Sequence, residues 1–182
     1  MEVTEFDEFV KRQQEAAAGV ASVDWDRERK EWLDYLDKLY RKIESLLDKY
    51  VSSGQIQLGY RQVELNEENI GSYAAKQMVL RIGPKNVVLE PIGTLLIGSK
   101  GRVDIIGPAG KAQLLLVDSK ASEPASLIHV TVGRAGNLPS GPTKSLRVIK
   151  WEWRIVTRPP ERRFIEITQQ TLFQLIMEVA NG

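Results

Sequence analysis

The chain has 182 residues, 42% of them hydrophobic, and a formal net charge of +1, so it can bury one sizeable core and has no overall charge that would attract nucleic acid or an anionic membrane. It contains no cysteine and a single histidine, His129, which excludes disulfides, thiolate metal sites and multi-histidine metal sites. The acidic first residues and the lack of a long apolar run favour a cytoplasmic protein that does not enter a membrane.

Two helices are predicted in an N-terminal helical segment, residues 1–50. The first covers residues 4–18, with Thr4 as its N-cap and Gly19 as its stop. Since residues 19–23 have the composition of a linker, this helix could dock on its own domain or bind a partner as an arm. Its apolar face carries Phe6, Phe9 and Val10.

The second helix is predicted from its N-cap, Asp24, to residue 50, and Ser52-Ser53-Gly54 ends it. Apolar residues recur along it at alternating spacings of three and four, in a stripe wider than a coiled-coil seam. We expect this stripe to be buried in the helix's own domain, and a homodimer through residues 25–50 is the alternative. The stripe contains Leu33, Leu36, Leu39, Tyr40, Ile43, Leu46, Leu47 and Tyr50.

From residue 51 to residue 182 the sequence predicts a sheet domain that ends in a C-terminal helix, because the apolar period changes from 3.6 to 2. Short turns separate the strands, so the sheet should be an antiparallel meander of about seven to nine strands, either open or partly closed into a barrel. Helices at both ends of such a chain predict the α+β class, and we expect the sheet domain to form one structural unit with residues 1–50. The predicted strands are Gln55–Leu65, Gln77–Ile82, Asn86–Glu90, Thr94–Ile97, Arg102–Ile106, Ala112–Asp118, Leu127–Val132, Leu146–Thr157 and Arg163–Ile167.

Near the end of the chain, Ile149, Trp151, Trp153 and Ile155 alternate with mostly charged residues, which predicts that both tryptophans lie on the core face of the sheet. His129 lies inside a predicted strand, where we expect it to be hydrogen-bonded or half exposed and not catalytic. Thr168 should cap the last helix. The apolar side of that helix carries Leu172, Phe173, Leu175, Ile176 and Val179.

The stretch Gly107-Pro108-Ala109-Gly110 predicts a tight turn between two antiparallel strands. A turn centred there places Asp104 opposite Gln113 and leaves Asp118 five residues further on, roughly 16 Å away at about 3.3 Å per residue. Two carboxylates so far apart cannot share a metal ion. In this register Arg102 and Asp104 are expected to form a surface ion pair, and Asp118 is expected to end its strand by accepting backbone N–H bonds.

The same hairpin carries Asp104 on one strand and Asp118-Ser119-Lys120 at the end of the next, after an apolar run. Between residues 101 and 120 this pattern resembles the motif of the PD-(D/E)XK nuclease superfamily. The resemblance implies a metal-dependent nuclease in which Asp104 and Asp118 hold Mg²⁺ and Lys120 polarises the attacking water or the phosphate. In that family a helix usually follows this lysine, whereas here residues 121–124 predict a break in regular secondary structure and a strand follows.

A basic stretch, residues 144–163, combines cations that could hold phosphates with tryptophans that could stack on bases. It therefore suggests a nucleic-acid surface. Because the tryptophans are expected in the core, we expect the cations to be solvated on the reverse face. The cations considered for nucleic-acid binding are Lys150, Arg154, Arg158, Arg162 and Arg163.

No group of residues in the sequence combines a nucleophile, a base and an orienting group. We therefore interpret the chain as a non-catalytic protein-interaction or regulatory module without a cofactor, whose N-terminal helices contact a protein partner. A Mg²⁺-dependent nuclease is the first alternative, and nucleic-acid binding through residues 144–163 is the second.

Overall fold

This computed structural model describes residues 3–21, 23–94, 99–122 and 148–181. Within residues 3–21 it describes the side chains of residues 6–15 only. The described helices are α1 (Val3–Ala21), α2 (Trp25–Ser52) and α3 (Gln169–Asn181). The described strands are β1 (Gln57–Glu67), β2 (Gly71–Ile82), β3 (Lys85–Gly93), β4 (Gly101–Gly107), β5 (Gly110–Asp118), β6 (Trp151–Val156) and β7 (Phe164–Glu166).

The seven strands form one sheet in chain order, and every neighbouring pair is antiparallel. This confirms the predicted α+β meander with helices at both ends. The sheet is open, so the alternative of a partly closed barrel is wrong. None of the described helices is both long enough and apolar enough to cross a bilayer.

Several predicted element boundaries are wrong. α1 continues at both ends, so Thr4 and Gly19 lie inside it, and β2 begins six residues before Gln77. β6 begins at Trp151, so Ile149 precedes the strand and is 45% exposed instead of lying in the core. Thr94 lies outside any strand, and the rest of the predicted strand 94–97 falls outside the described residues, as does Leu127–Val132 with His129.

Helix α2 buries its apolar stripe in the core of its own chain, as predicted. Asp24 caps the helix by accepting a hydrogen bond from the backbone N–H of Arg27 at 3.1 Å, and Ser53 is its C-cap. The stripe shares one hydrophobic core with residues of β1 to β6 and of α3. A coiled-coil dimer through the same residues would first have to open this core. The buried residues of α2 are Trp32, Leu36, Leu39, Tyr40, Ile43 and Leu47.

Two glycines of β4 let α2 and α3 approach the same face of the sheet. A Cβ added to Gly101 would overlap the ring of Trp32, and one added to Gly107 would overlap the carbonyl of Val179. Both glycines occupy odd positions of the strand and therefore lie on one face. α2 thus packs over one end of β4 and α3 over the other.

The two tryptophans of β6 lie on this helix-covered face, and Trp153 is the more deeply buried. Its ring centroid is 5.9 Å from that of Trp32, and its Nε1–H donates to the carbonyl of Tyr35 at 2.9 Å. Trp151 is partly buried at the margin of the core, with Lys100 Nζ 5.7 Å from its ring centroid. The predicted alternation is therefore correct within the strand.

The close contact between α2 and β4 predicts that a methyl group added at Gly101 lowers the stability of the protein. Gly101→Ala should lower the free energy of unfolding by roughly 1–3 kcal/mol, because the Trp32 ring must shift in a packed core. Gly59→Ala is the matched control, since nothing lies within 4 Å of its Cβ position. Urea unfolding measures both, and an equal, small effect of the two substitutions would contradict this packing.

Candidate functional site

The exposed aromatic residues of α1 form one candidate site. Among the described side chains 6–15 only Val10 is half-buried, and the others are exposed. Phe6 and Phe9 are 58% and 56% exposed, and their ring centroids lie 6.3 Å apart. Residues separated by three and four positions share a helix face, so Phe6, Phe9 and Val10 form one apolar face. We call this face the aromatic face of α1.

A second apolar surface lies between the C-terminal end of α2, the chain that follows it, the end of β2 and α3. We call it the α2–α3 groove. It has a cavity volume of about 250 Å³. Tyr50 and Phe173 meet edge-to-face in it with ring centroids 5.4 Å apart, and Met177 is 58% exposed. The groove is lined by Leu47, Tyr50, Gln55, Ile56, Ile82, Phe173, Ile176 and Met177.

The residues of the nuclease motif are placed by the register of β4 and β5. Gly107 pairs with Gly110 and Asp104 with Gln113, which confirms the predicted turn and register. Asp118 pairs with Trp151 at the far end of β5. Because side chains alternate along a strand, Asp104 and Asp118 also lie on opposite faces of the sheet. The structure therefore does not bring the two carboxylates together.

Lys120 remains beside Asp118. The Asp118 carboxylate accepts a hydrogen bond from the backbone N–H of Lys120 at 3.0 Å, so Asp118 closes the end of its strand as predicted. In the part of the chain that the structure describes, no three acidic or histidine side chains are grouped closely enough to hold a metal ion.

Asp104 forms an ion pair with Arg102 that is more buried than predicted. Arg102 Nε lies 2.7 Å from one carboxylate oxygen and Nη2 2.8 Å from the other. Asp104 is only 4% exposed, so the expectation that this ion pair lies on the surface is wrong. The hydrogen bond from Arg102 to Asp104 raises the pKa of Arg102. A metal ion at Asp104 would have to displace this two-point contact.

Four of the five candidate nucleic-acid cations are paired with carboxylates of their own chain. Glu152 lies 2.7 Å from Lys150 and 2.6 Å from Arg154, and the hydrogen bond from Lys150 lowers the pKa of Glu152. The remaining pairs are Arg158 with Glu178 at 3.0 Å and Arg163 with Glu161 at 2.7 Å, while Arg162 is exposed. These carboxylates offset much of the charge that a phosphate backbone would meet.

One buried polar cluster was not predicted from the sequence. Glu67 is only 8% exposed and accepts hydrogen bonds from the Tyr73 hydroxyl and from the backbone N–H and hydroxyl of Thr94, at 2.9 and 2.6 Å. A Cβ at Gly93 would lie 2.9 Å from the Glu67 carboxyl carbon. The cluster ties the end of β1 to the end of β3. Nothing in the sequence around Glu67 distinguishes it from an exposed glutamate next to a turn.

No protein-family model, no curated protein and no solved structure matches this chain. The functional interpretation therefore rests on the chain's own residues and their geometry.

Three tyrosines should ionise only at unusually high pH in the folded protein. Burial raises the pKa of Tyr40, Tyr60 and Tyr73 above the ordinary value, and the carboxylates of Glu44 and Glu67 raise those of Tyr60 and Tyr73 further. In the unfolded chain these three hydroxyls ionise near pH 10, whereas in the folded chain they keep their protons there, so the free energy of unfolding should fall as the pH rises through about 10.

Absorbance titration at 295 nm checks this directly. Fewer than the chain's five tyrosines should ionise near pH 10 in the folded protein, and all five should do so in urea. In the folded protein, Tyr73→Phe should leave the absorbance change near pH 10 unaltered, because Tyr73 keeps its proton at that pH. Ionisation of all five near pH 10 without unfolding would contradict the described environments.

Proposed function

We propose that this chain is a non-catalytic protein-interaction module and that α1 is the element that contacts the partner. The observation that carries the proposal is the pair of exposed phenylalanines on one face of α1. Large apolar side chains grouped on a surface mark interaction sites more often than isolated ones do. Full burial of an exposed phenylalanine ring contributes about 1.5–3 kcal/mol, so both rings would add to the affinity of a helix that docks through this face.

The burial of α2 narrows the choice between the two N-terminal helices. The stripe of α2 lies in the core, with Trp32, Leu36 and Ile43 at most 1% exposed. It is therefore not available to a partner in the folded chain. The aromatic face of α1 is exposed in the same structure, which favours α1 as the contact element.

The way in which helices gain stability supports the same assignment. A helix in a folded protein takes most of its stability from the packing of its apolar face. Nine of the ten described side chains of α1, residues 6–15, are exposed, so this part of the helix lacks most of that contribution. Binding of the aromatic face to a partner would supply it. The proposal includes no cofactor, and it places the protein in the cytoplasm, which the absence of cysteine accommodates.

Substitution of the aromatic face tests the proposal. Proteins that bind the tagged chain in its source cells would be identified, purified and titrated against it by calorimetry. Phe6→Ala/Phe9→Ala should weaken binding roughly tenfold or more, because it removes both anchors. Lys11→Ala/Glu15→Ala is the matched control: it lies on the opposite face of α1, keeps the net charge and should bind like the wild type.

Three results would contradict the proposal. Binding that survives Phe6→Ala/Phe9→Ala would exclude the aromatic face. Cleavage of DNA or RNA that requires Mg²⁺ or Mn²⁺ and is lost in Asp118→Asn and Lys120→Ala would establish the nuclease. Oligonucleotide binding lost in Arg158→Ala/Arg162→Ala, with an unchanged fold, would establish the nucleic-acid surface.

A further inference from the structure

We propose that the hairpin of β1 and β2 binds a phosphate group between Arg61 and Arg81. This inference does not use α1 and is independent of the proposed function. Three pairs of facing residues across the hairpin form the site, and we call them the outer-face site. In order along the hairpin, the pairs are Gln57 with Arg81, Gly59 with Val79, and Arg61 with Gln77.

The outer-face site lies on the face of the sheet opposite the helix-covered one. The residues that alternate with it lie against the core: Met78 and Leu80 are fully buried, and the ring centroid of Tyr60 is 5.6 Å from that of Tyr40 in α2. Because side chains alternate along a strand, the outer-face site is on the other side. Both of its arginines are exposed, so a ligand can reach them from solvent.

Each strand supplies the same pattern of side chains to the site, with a glutamine, a residue without a polar side chain and an arginine at every second position. Since the strands are antiparallel, the two arginines occupy diagonally opposite corners around the pair of Gly59 and Val79. Each arginine Cα is two residues from this pair along its strand, roughly 7 Å, which an extended arginine side chain spans. Both guanidinium groups can therefore contact an anion that lies over Gly59 and Val79.

Gly59 leaves the space that such an anion needs. Nothing lies within 4 Å of its Cβ position, and the hollow around it has a volume of about 310 Å³. A glycine inside a strand weakens the strand, and it often marks a bulge, a bend or the close approach of a ligand or another backbone. The pairing of β1 with β2 continues through Gly59 without a bulge. The open space over this glycine therefore favours a ligand.

The two arginines of the outer-face site have no partner in the part of the chain that the structure describes. Neither forms an ion pair or a side-chain hydrogen bond there, whereas Arg102 and Arg154 are both paired with carboxylates. Glu90 of β3 lies on the same face, because Val79 pairs with Val88. Its backbone is two strand spacings, about 10 Å, from that of Arg61. The charges of the site are thus available to a ligand.

The arrangement suits a phosphate group better than a carboxylate. A carboxylate has two oxygens in one plane, and a single guanidinium can bind both of them. Two guanidinium groups that approach from opposite sides, with the amides of Gln57 and Gln77 as further donors, suit a tetrahedral group with oxygens on every side. The ligand is therefore inorganic phosphate or a small phosphate monoester.

An NMR titration of the full chain, labelled with nitrogen-15, tests the site. The probes are inorganic phosphate and glycerol 3-phosphate, at an ionic strength held constant with sodium chloride. The amides of Gly59 and Val79 should shift with a dissociation constant of about 1 mM or lower for at least one probe, and the tighter probe identifies the source of the phosphate. Arg61→Gln and Arg81→Gln should each raise this constant roughly tenfold or more, because each removes a charge-assisted contact.

Two further variants separate a shaped site from general charge. Gly59→Val keeps both arginines but fills the hollow, so it should weaken binding as strongly as the loss of an arginine. Arg41→Gln is the matched control: Arg41 is exposed on α2, which covers the other face of the sheet, and its loss changes the net charge equally. It should bind like the wild type. All these positions are exposed, so thermal unfolding should be nearly unchanged, and this is measured alongside.

Several outcomes would overturn the inference. Amides of Gly59 and Val79 that do not shift with either probe would exclude the site. Binding that survives both Arg61→Gln and Arg81→Gln, or that Arg41→Gln weakens equally, would show that the phosphate is held elsewhere or by general charge. A single-stranded oligonucleotide that binds through these arginines more tightly than both probes would replace the small ligand by nucleic acid.

Discussion

The packing of α2 on one face of the sheet is the contact on which the rest of the structure depends. Trp32 lies over Gly101 and against Trp153, and the Tyr40 hydroxyl donates to the carbonyl of Lys76 at 2.6 Å. Fully buried aromatic side chains of this size contribute several kilocalories per mole each, so the helix and the sheet stabilise one another. This contact uses the apolar stripe of α2 and leaves the phenylalanines of α1 exposed.

The turn between β4 and β5 decides whether the two aspartates of this hairpin can share a metal ion. Pro108 and Ala109 connect β4 to β5, and the register that follows places Asp104 opposite Gln113. A connection that took five more residues from the start of β5 would pair Asp104 with Asp118 on one face of the sheet, as a shared metal site requires. With the observed turn, Asp104 is held by Arg102 and Asp118 closes the end of β5. The resemblance to a nuclease motif is therefore one of sequence spacing, without the corresponding juxtaposition.

Much of the fold could be predicted from the sequence, because local signals define it. The cap at Asp24, the stripe of α2 and the glycine-proline turn at residues 107–110 each act within a few residues. The start of β2 was missed because Ser72 to Lys76 lack the β-branched residues that mark strands. The Glu67 cluster and the α2–α3 groove were missed for another reason: each joins elements far apart in sequence, and only their packing creates the site.

Our central proposal is that α1 contacts a partner through its aromatic face, which is exposed in the folded chain. Hydrogen exchange followed by mass spectrometry at several chain concentrations tests it most directly. The account predicts that amides of α1 exchange quickly in the dilute protein, while amides of α2 stay protected at every concentration. Protection of α1 equal to that of α2 at the lowest concentration would contradict the account, because α1 would then be packed within its own chain.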